Sequence, residues 1–198
     1  MFKKVCIIGC GLIGSSIARG IKKNKLATKV VSSNRSSSTN KKVIRLKIVD
    51  EASSNTKKIV EGSDLIIIAS PLSSYKNIIL KIKSSLKNGA ILTDVGSTKK
   101  NVISLIEKNI PENVSWISSH PIAGTEESGP ESGFSELFKN RWCILTPSKK
   151  SKVKDVKLLE KFWQKLGSRV DVMDAKRHDY ILSITSHMPH LIAYNIVN

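Results

Sequence analysis

Short apolar runs alternate with amphipathic segments along most of the chain. The runs predict buried strands at residues 3–9, 28–33, 64–69, 90–94, 114–119, 142–146 and 169–173. Apolar positions at helical spacing predict helices at residues 12–24, 74–87, 98–109 and 151–166. Because strands that alternate with helices are joined by crossovers, the pattern predicts an α/β fold with a doubly wound, mostly parallel sheet of the Rossmann-like kind.

Three segments depart from this alternation. Residues 34–42 are polar and turn-rich, and residues 120–140 are rich in Gly, Glu, Ser and Pro, so both are predicted as loops. A long loop inside a compact domain tends to be functional. Residues 175–197 are predicted to form one helix with a local kink at Pro189, and the chain stops inside that helix.

The composition is that of a globular protein, with 40% hydrophobic and 25% charged residues among 198. The three cysteines are scattered along the chain, which fits a reducing compartment. No signal peptide and no window of 18 apolar residues is visible in the sequence. We therefore expect a cytoplasmic protein with no membrane partner, and no residue spacing predicts a metal site.

The formal net charge of +17 is the most unusual feature of the composition. The basic residues comprise 27 Lys and only 6 Arg, and they are scattered singly and in pairs. Proteins that read nucleic acids rely on Arg for bidentate and stacking contacts. The charge therefore favours a solvated surface first, steering of small anionic ligands second and nucleic-acid binding last, so we expect no nucleic-acid partner.

A glycine fingerprint follows the first predicted strand and opens the first predicted helix. Its pattern is G-x-G-x-x-G, formed by Gly9, Gly11 and Gly14, with Leu12 and Ile13 beginning the helix. The first glycine permits the tight turn, the second lets a pyrophosphate approach the backbone, and the third allows close packing of helix on strand. A helix N-terminus then offers N–H donors to the phosphates. The context predicts dinucleotide binding rather than a simple tight turn.

The end of the second predicted strand bears on the choice of cofactor. An acidic residue about 20 residues after the fingerprint would bind the ribose 2′-hydroxyl of NAD. This chain instead has Asn34, Arg35 and Ser36 there, and no carboxylate occurs between Gly14 and Asp50. Arg35 is suited to a 2′-phosphate, so the sequence favours NADP. NAD stays open, because Arg35 is otherwise an ordinary loop charge or a residue that stacks on the adenine.

Three further motifs lie at predicted strand ends, where this fold places its ligands. Ser70 and Pro71 end the strand at residues 64–69 and are expected beneath the nicotinamide. Ser97, in the segment DVGSTK, is a candidate N-cap of the next helix and also a candidate site residue. His120 begins the segment HPIAGTE, and a histidine at a strand end is well placed as a proton acceptor.

These motifs together resemble the prephenate/arogenate dehydrogenase family. The resemblance is carried by four segments in family order, CIIGCGLIGSSIARGI, DVGSTK, SHPIAGTEESGPESGF and HDYILSITSHMPHLIAY. It implies NAD(P)-dependent oxidative decarboxylation of prephenate, to 4-hydroxyphenylpyruvate, or of arogenate, to tyrosine, in tyrosine biosynthesis. In that reaction a hydride leaves the ring carbon that bears the hydroxyl, and the ring carboxylate is lost as CO₂.

The resemblance also implies roles for individual residues. His120 matches the histidine that accepts the proton of the substrate hydroxyl, and Ser97 matches the serine that orients it. The substrate-binding residues that it implies are Ser97, Thr125, Glu126, His178 and His190. The substrates are small anions, which a Lys-rich surface would attract.

Members of the family continue into a helical domain that supplies dimer contacts and a substrate-binding arginine. The resemblance therefore divides the chain into a dinucleotide-binding domain at residues 1–173 and the start of a truncated helical domain at residues 174–198, and it implies a homodimer at full length. Two alternatives stay open: an NADP-binding fragment or sensor without activity, and a different hydroxy-acid dehydrogenase. The latter needs a catalytic lysine on the last helix, where only Lys176 is available.

Overall fold

The computed structural model describes residues 1–197. Asn198 lies outside the described residues, as do the side chains of His187, His190 and Val197.

Eight strands form one sheet in the order β3-β2-β1-β4-β5-β6-β7-β8. Neighbouring strands are parallel except for β6 and β7, which are antiparallel. The strands are β1 Phe2–Ile8, β2 Ala27–Ser33, β3 Glu51–Ser53, β4 Leu65–Ile68, β5 Ile91–Asp94, β6 Ser115–Pro121, β7 Trp142–Pro147 and β8 Arg169–Val172. The predicted doubly wound, mostly parallel fold is confirmed, and the strand order reverses between β1 and β4, where such sheets bind ligands.

Helices connect the strands and cover both faces of the sheet. They are α1 Leu12–Lys23, α2 Ser37–Arg45, α3 Thr56–Val60, α4 Tyr75–Ile82, α5 Lys100–Glu107, α6 Val153–Lys165, α7 Ala175–Leu182 and α8 Met188–Val197. The second half of strand β1 is an unbroken apolar run because it is buried on both sides: Val5 and Ile7 belong to the core on one face, and Cys6 and Ile8 to the core on the other. Burial on both faces removes the polar alternation that a half-exposed strand would show.

The prediction of a loop at residues 34–42 is wrong in its second half, because α2 begins at Ser37. The Ser36 hydroxyl caps this helix by accepting from the backbone N–H groups of Ser38 and Thr39, at 3.1 and 3.4 Å. Val43 is the buried residue of α2. The helix therefore has almost no apolar face, and the sequence pattern does not predict it. The short β3 and α3 were likewise not predicted.

The last predicted helix is divided in two. A π-helical turn, Ser183–His187, separates α7 from α8. Pro189 follows two residues later and has no backbone N–H to continue the regular α-helical ladder. The irregularity thus lies before Pro189, as a π-helical turn, and the kink at Pro189 itself stays a prediction.

The long loop after β6 packs against α1. The Phe134 backbone N–H donates to the Ser16 hydroxyl at 3.1 Å, and a Cβ on Gly133 would lie only 2.1 Å from the Ser15 hydroxyl. Glycine at position 133 is thus required by this close approach to α1. The contact anchors the far part of the loop beside the glycine fingerprint.

Within residues 1–197 no helix is long and apolar enough to cross a membrane. The same residues contain no cluster of three or more His, Cys, Asp or Glu side chains with the geometry of a metal site.

Candidate active site

The three glycines of the fingerprint differ in what an added Cβ would meet. Gly9 has a φ of +98°, and a Cβ there would lie 2.6 Å from the Ala69 carbonyl oxygen. A Cβ on Gly14 would lie 2.0 Å from the Gly9 carbonyl oxygen. By contrast, a Cβ built on Gly11 has no atom of the described residues within 4 Å other than those of its own chain neighbours. Gly9 and Gly14 are required by the fold, while Gly11 faces open space that fits a pyrophosphate at the start of α1.

Asn34 ties the fingerprint loop to the end of β2. Its side-chain oxygen accepts from the Cys10 backbone N–H at 2.7 Å, and its amide nitrogen donates to Ser32 at 3.1 Å and to Asn40 at 2.9 Å. These bonds occupy a buried side chain. In this structure Asn34 therefore shapes the loop from within.

Arg35 is exposed and lies immediately before the N-terminus of α2. The first turn of α2 contains no acidic residue. The first carboxylate after the fingerprint, Asp50, accepts from the Val30 backbone N–H at 2.8 Å and pairs with Lys22, so it faces the middle of β2 instead of its carboxyl end. The carboxyl end of β2 thus combines an arginine with a helix N-terminus, both of which favour an anion.

Ser70 and Pro71 follow β4 at the point where the strand order reverses. The Ala69 carbonyl oxygen, just before them, is the atom that a Cβ on Gly9 would meet first. The Ser70 hydroxyl accepts from the Ser74 hydroxyl at 3.1 Å. This exit from β4 therefore lies directly against the fingerprint loop.

His120 lies near the end of β6 and is paired with a second histidine. Its Nδ1 is 2.9 Å from Nε2 of His178 on α7, and the two ring centroids are 5.1 Å apart. His178 Nδ1 in turn lies 2.8 Å from the Asp179 carboxylate. Burial lowers the pKa of His178 below its ordinary value, and Asp179 opposes this shift without reversing it. At neutral pH the His178 ring is therefore neutral.

The buried ion pair of Lys99 and Asp94 contacts the end of β6. Lys99 and Asp94 are both fully buried, with Lys99 Nζ 3.0 Å from Asp94 Oδ2 and 2.6 Å from the Ser119 carbonyl oxygen. Tyr75 donates to Asp94 at 3.1 Å, and Ser118 also donates to it. Burial lowers the pKa of Lys99, while the Asp94 carboxylate acts in the opposite direction. This network holds the Ser119 carbonyl, one residue before His120.

Sequence reasoning missed Lys99, Asp94 and Asp179 as site residues. Asp94 and Lys99 are the first and last residues of the segment DVGSTK, and Asp179 directly follows His178. An aspartate at a strand end with a lysine five residues later was the available signal. What could not be read from spacing is that the lysine turns inward.

The remaining predicted residues lie at the surface of the same edge. Ser97, Thr125 and Glu126 are exposed, on the loops that follow β5 and β6. Ser97 was a candidate N-cap, but its hydroxyl does not cap α5. The helix begins at Lys100, and the Asp179 carboxylate accepts hydrogen bonds from the backbone N–H groups of Lys99 and Lys100. The side chain of His190 lies outside the described residues.

A glycine fingerprint and a histidine pair at the carboxyl edge of one doubly wound sheet define the nucleotide-binding domain of an NAD(P)-dependent dehydrogenase. Residues 17–172 match the family described as "Prephenate dehydrogenase, nucleotide-binding domain". The chain belongs to the prephenate dehydrogenase family, as its motifs predicted.

Relatives and solved structures agree with this assignment. The chain is 34% identical to a cyclohexadienyl dehydrogenase of Zymomonas mobilis over 197 residues, and 29% identical to a prephenate dehydrogenase of Bacillus subtilis over 195 residues. It superposes on prephenate dehydrogenase of Aquifex aeolicus, solved with hydroxyphenyl propionate and NAD⁺, with a TM-score of 0.93 and 30% identity. For a Synechocystis arogenate dehydrogenase the TM-score is 0.89 and the identity 25%.

The chain is matched almost throughout, but the relatives are longer. Between 98% and 100% of this chain is covered in each of these four comparisons. It spans 67% of the Zymomonas protein, 53% of the Bacillus protein and 68% of each of the two solved chains.

Proposed function

We propose that the full-length protein catalyses the NADP-linked oxidative decarboxylation of prephenate or arogenate. The observation that carries the proposal is the hydrogen bond of 2.9 Å between His120 and His178, at the same sheet edge as the fingerprint. A base at this place is what the removal of a hydroxyl proton needs. The similar proteins described above are cyclohexadienyl, prephenate and arogenate dehydrogenases, which supports the substrate class.

Different residues of this chain have different roles in the proposed reaction. Neutral His120 accepts the proton of the substrate hydroxyl, while His178 orients the ring. A bound nicotinamide would supply the acceptor for the hydride of the ring carbon. Ser97, Thr125 and Glu126, on the loops that follow β5 and β6, contact the substrate. Loss of the ring carboxylate as CO₂ makes the ring aromatic and drives the reaction forward.

The proposal is tested by measuring NADP⁺ and NAD⁺ reduction by the full-length protein with each of the two substrates. Reduction of NADP⁺ with at least one of them is expected. If the protein binds the nucleotide and reduces neither cofactor with either substrate, the proposal is wrong, and a nucleotide-binding role without turnover replaces it.

We expect Arg35→Ala to weaken NADP⁺ binding by about 10- to 100-fold, because a charge-assisted bond to the 2′-phosphate contributes about 1.5–3 kcal/mol. NAD⁺ binding should change little, since NAD⁺ lacks that phosphate. Titration calorimetry with both nucleotides measures the two affinities. Lys154→Ala is the matched control, because it removes one exposed positive charge at the start of α6. Equal weakening of both nucleotides by Arg35→Ala would contradict the NADP assignment.

Gly11→Ala is expected to lower nucleotide affinity by about tenfold or more without lowering stability. Apart from the chain neighbours of Gly11, no atom of the described residues lies within 4 Å of the new Cβ, so the fold accepts it, but it enters the space assigned to the pyrophosphate. Gly124→Ala is the control, since its Cβ is equally free of contacts on a different loop. Thermal unfolding and nucleotide titration separate the two effects, and unchanged affinity would remove the pyrophosphate from this position.

A homodimer at full length is also proposed. Large apolar side chains on α7, α8 and the turn between them are exposed, and they are Tyr180, Ile184, Met188, Leu191, Ile192, Tyr194 and Ile196. Contiguous apolar surface of this kind is usually covered by other protein. Sedimentation of the full-length protein tests the assembly.

A further inference from the structure

Asp179 makes three hydrogen bonds that join two elements of the site. Its Oδ1 accepts from the Lys99 backbone N–H at 2.9 Å and from His178 Nδ1 at 2.8 Å, and its Oδ2 accepts from the Lys100 backbone N–H at 3.0 Å. Lys99 and Lys100 lie 80 and 79 positions earlier in the chain, at the start of α5. One carboxylate thus binds the N-terminus of α5 and the histidine pair together.

The carboxylate is ionised at neutral pH. Burial alone would raise the pKa of Asp179, but the hydrogen bonds from Lys100, His178 and Lys99 outweigh burial and lower it. An ionised carboxylate only accepts hydrogen bonds. His178 Nδ1 must therefore carry a proton and donate it.

The proton on His178 Nδ1 also determines which nitrogen of His120 carries a proton. A neutral imidazole has one donor and one acceptor nitrogen, so a proton on His178 Nδ1 makes His178 Nε2 an acceptor. His120 Nδ1, which lies 2.9 Å from that Nε2, is then the donor. When the His120 ring is neutral, its lone pair is therefore on Nε2. A carboxylate two side chains away thus selects the nitrogen that accepts a proton.

We propose that Asp179 is a positioning residue that fixes the tautomer of His120 through His178, and that it holds the loop of Ser97 to the histidine pair by binding the start of α5. The catalytic consequence of this inference rests on the proposed function, whereas the tautomers themselves do not. The other charged groups that act on His178 are Lys99 and Asp94, and both lie in the ion pair below β6.

The tautomers are tested on this chain by long-range proton–nitrogen NMR of the histidine rings. We expect the wild-type protein to show both His178 and His120 protonated on Nδ1. Asp179→Ala should convert His178 into a mixture of the two tautomers, because the acceptor for Nδ1 is gone. A wild-type His178 protonated on Nε2, or unchanged tautomers in Asp179→Ala, would overturn the proposal.

Asp174→Ala is the matched control for the loss of a helix cap. Asp174 accepts from the Arg177 backbone N–H at 2.9 Å and caps α7, much as Asp179 caps α5. Both variants should lower the melting temperature, but only Asp179→Ala should change the histidine tautomers. Equal spectra for the two variants would reduce Asp179 to a structural cap and overturn the positioning role.

Turnover by the full-length protein gives the second readout. Asp179→Ala removes the acceptor of His178 Nδ1, so kcat is expected to fall about tenfold or more with little change in KM, because the His120 proton then moves toward Nε2, the nitrogen that must accept. An unchanged kcat would overturn the positioning role. If the wild-type protein turns over neither substrate, the proposed function fails, and the NMR experiment still decides the role of Asp179.

Discussion

Replacing His120 with asparagine is expected to lower the kcat of the full-length protein by about 10²–10⁴-fold, which is the usual contribution of a positioned general base. Asparagine can still form a hydrogen bond with His178, so the local structure should persist. It cannot accept the proton of the substrate hydroxyl. NADP⁺ affinity should be unchanged, because His120 lies at the end of β6, whereas the fingerprint follows β1.

Lys176→Ala is the matched control for this loss. Lys176 is the lysine that a different hydroxy-acid dehydrogenase would need on the last helix, and its side chain is exposed in the first turn of α7. Its removal should leave kcat as in the wild-type protein. Full turnover by His120→Asn would remove His120 from the mechanism, and lost turnover in Lys176→Ala would favour the other dehydrogenase class.

Lys99→Met is expected to lower the free energy of unfolding by about 3–5 kcal/mol, because it leaves the Asp94 charge buried without its partner. Both members of the pair have no exposed side-chain surface. For a protein of this size, each kcal/mol corresponds to roughly 2–4 °C in melting temperature. Urea unfolding monitored by circular dichroism measures the loss.

The exposed pair of Lys22 and Asp50 offers a direct comparison. Its members have 35% and 39% of their side-chain surface exposed, so Lys22→Met should cost no more than about 1 kcal/mol. The double variant Asp94→Asn/Lys99→Met should be more stable than Lys99→Met alone, since it removes both buried charges. If Lys99→Met costs no more than Lys22→Met, the buried pair does not stabilise the fold as argued.

The parts of the fold that could be predicted are those with a local signal. Strand β4 is a continuous apolar run because it is buried on both faces, and the fingerprint is legible because Gly9 and Gly14 meet steric requirements that only glycine satisfies. Helix α2 could not be predicted from the sequence. Val43 is its buried residue, so it has almost no apolar face, and its Ser, Thr and Asn residues are those typical of a loop. Its existence depends on the cap by Ser36 and on packing.

The candidate site divides in the same way. The sequence by itself placed His120 at a strand end and the glycine fingerprint before a helix, because both follow from the order of elements along the chain. Only the tertiary structure decided that His120 bonds to His178, 58 positions later, that Lys99 turns inward to Asp94, and that Asp179 caps a helix 79 positions earlier. Hydrogen bonds between distant residues depend on how α7 packs beside α5 and β7, and no local pattern along the chain encodes that packing.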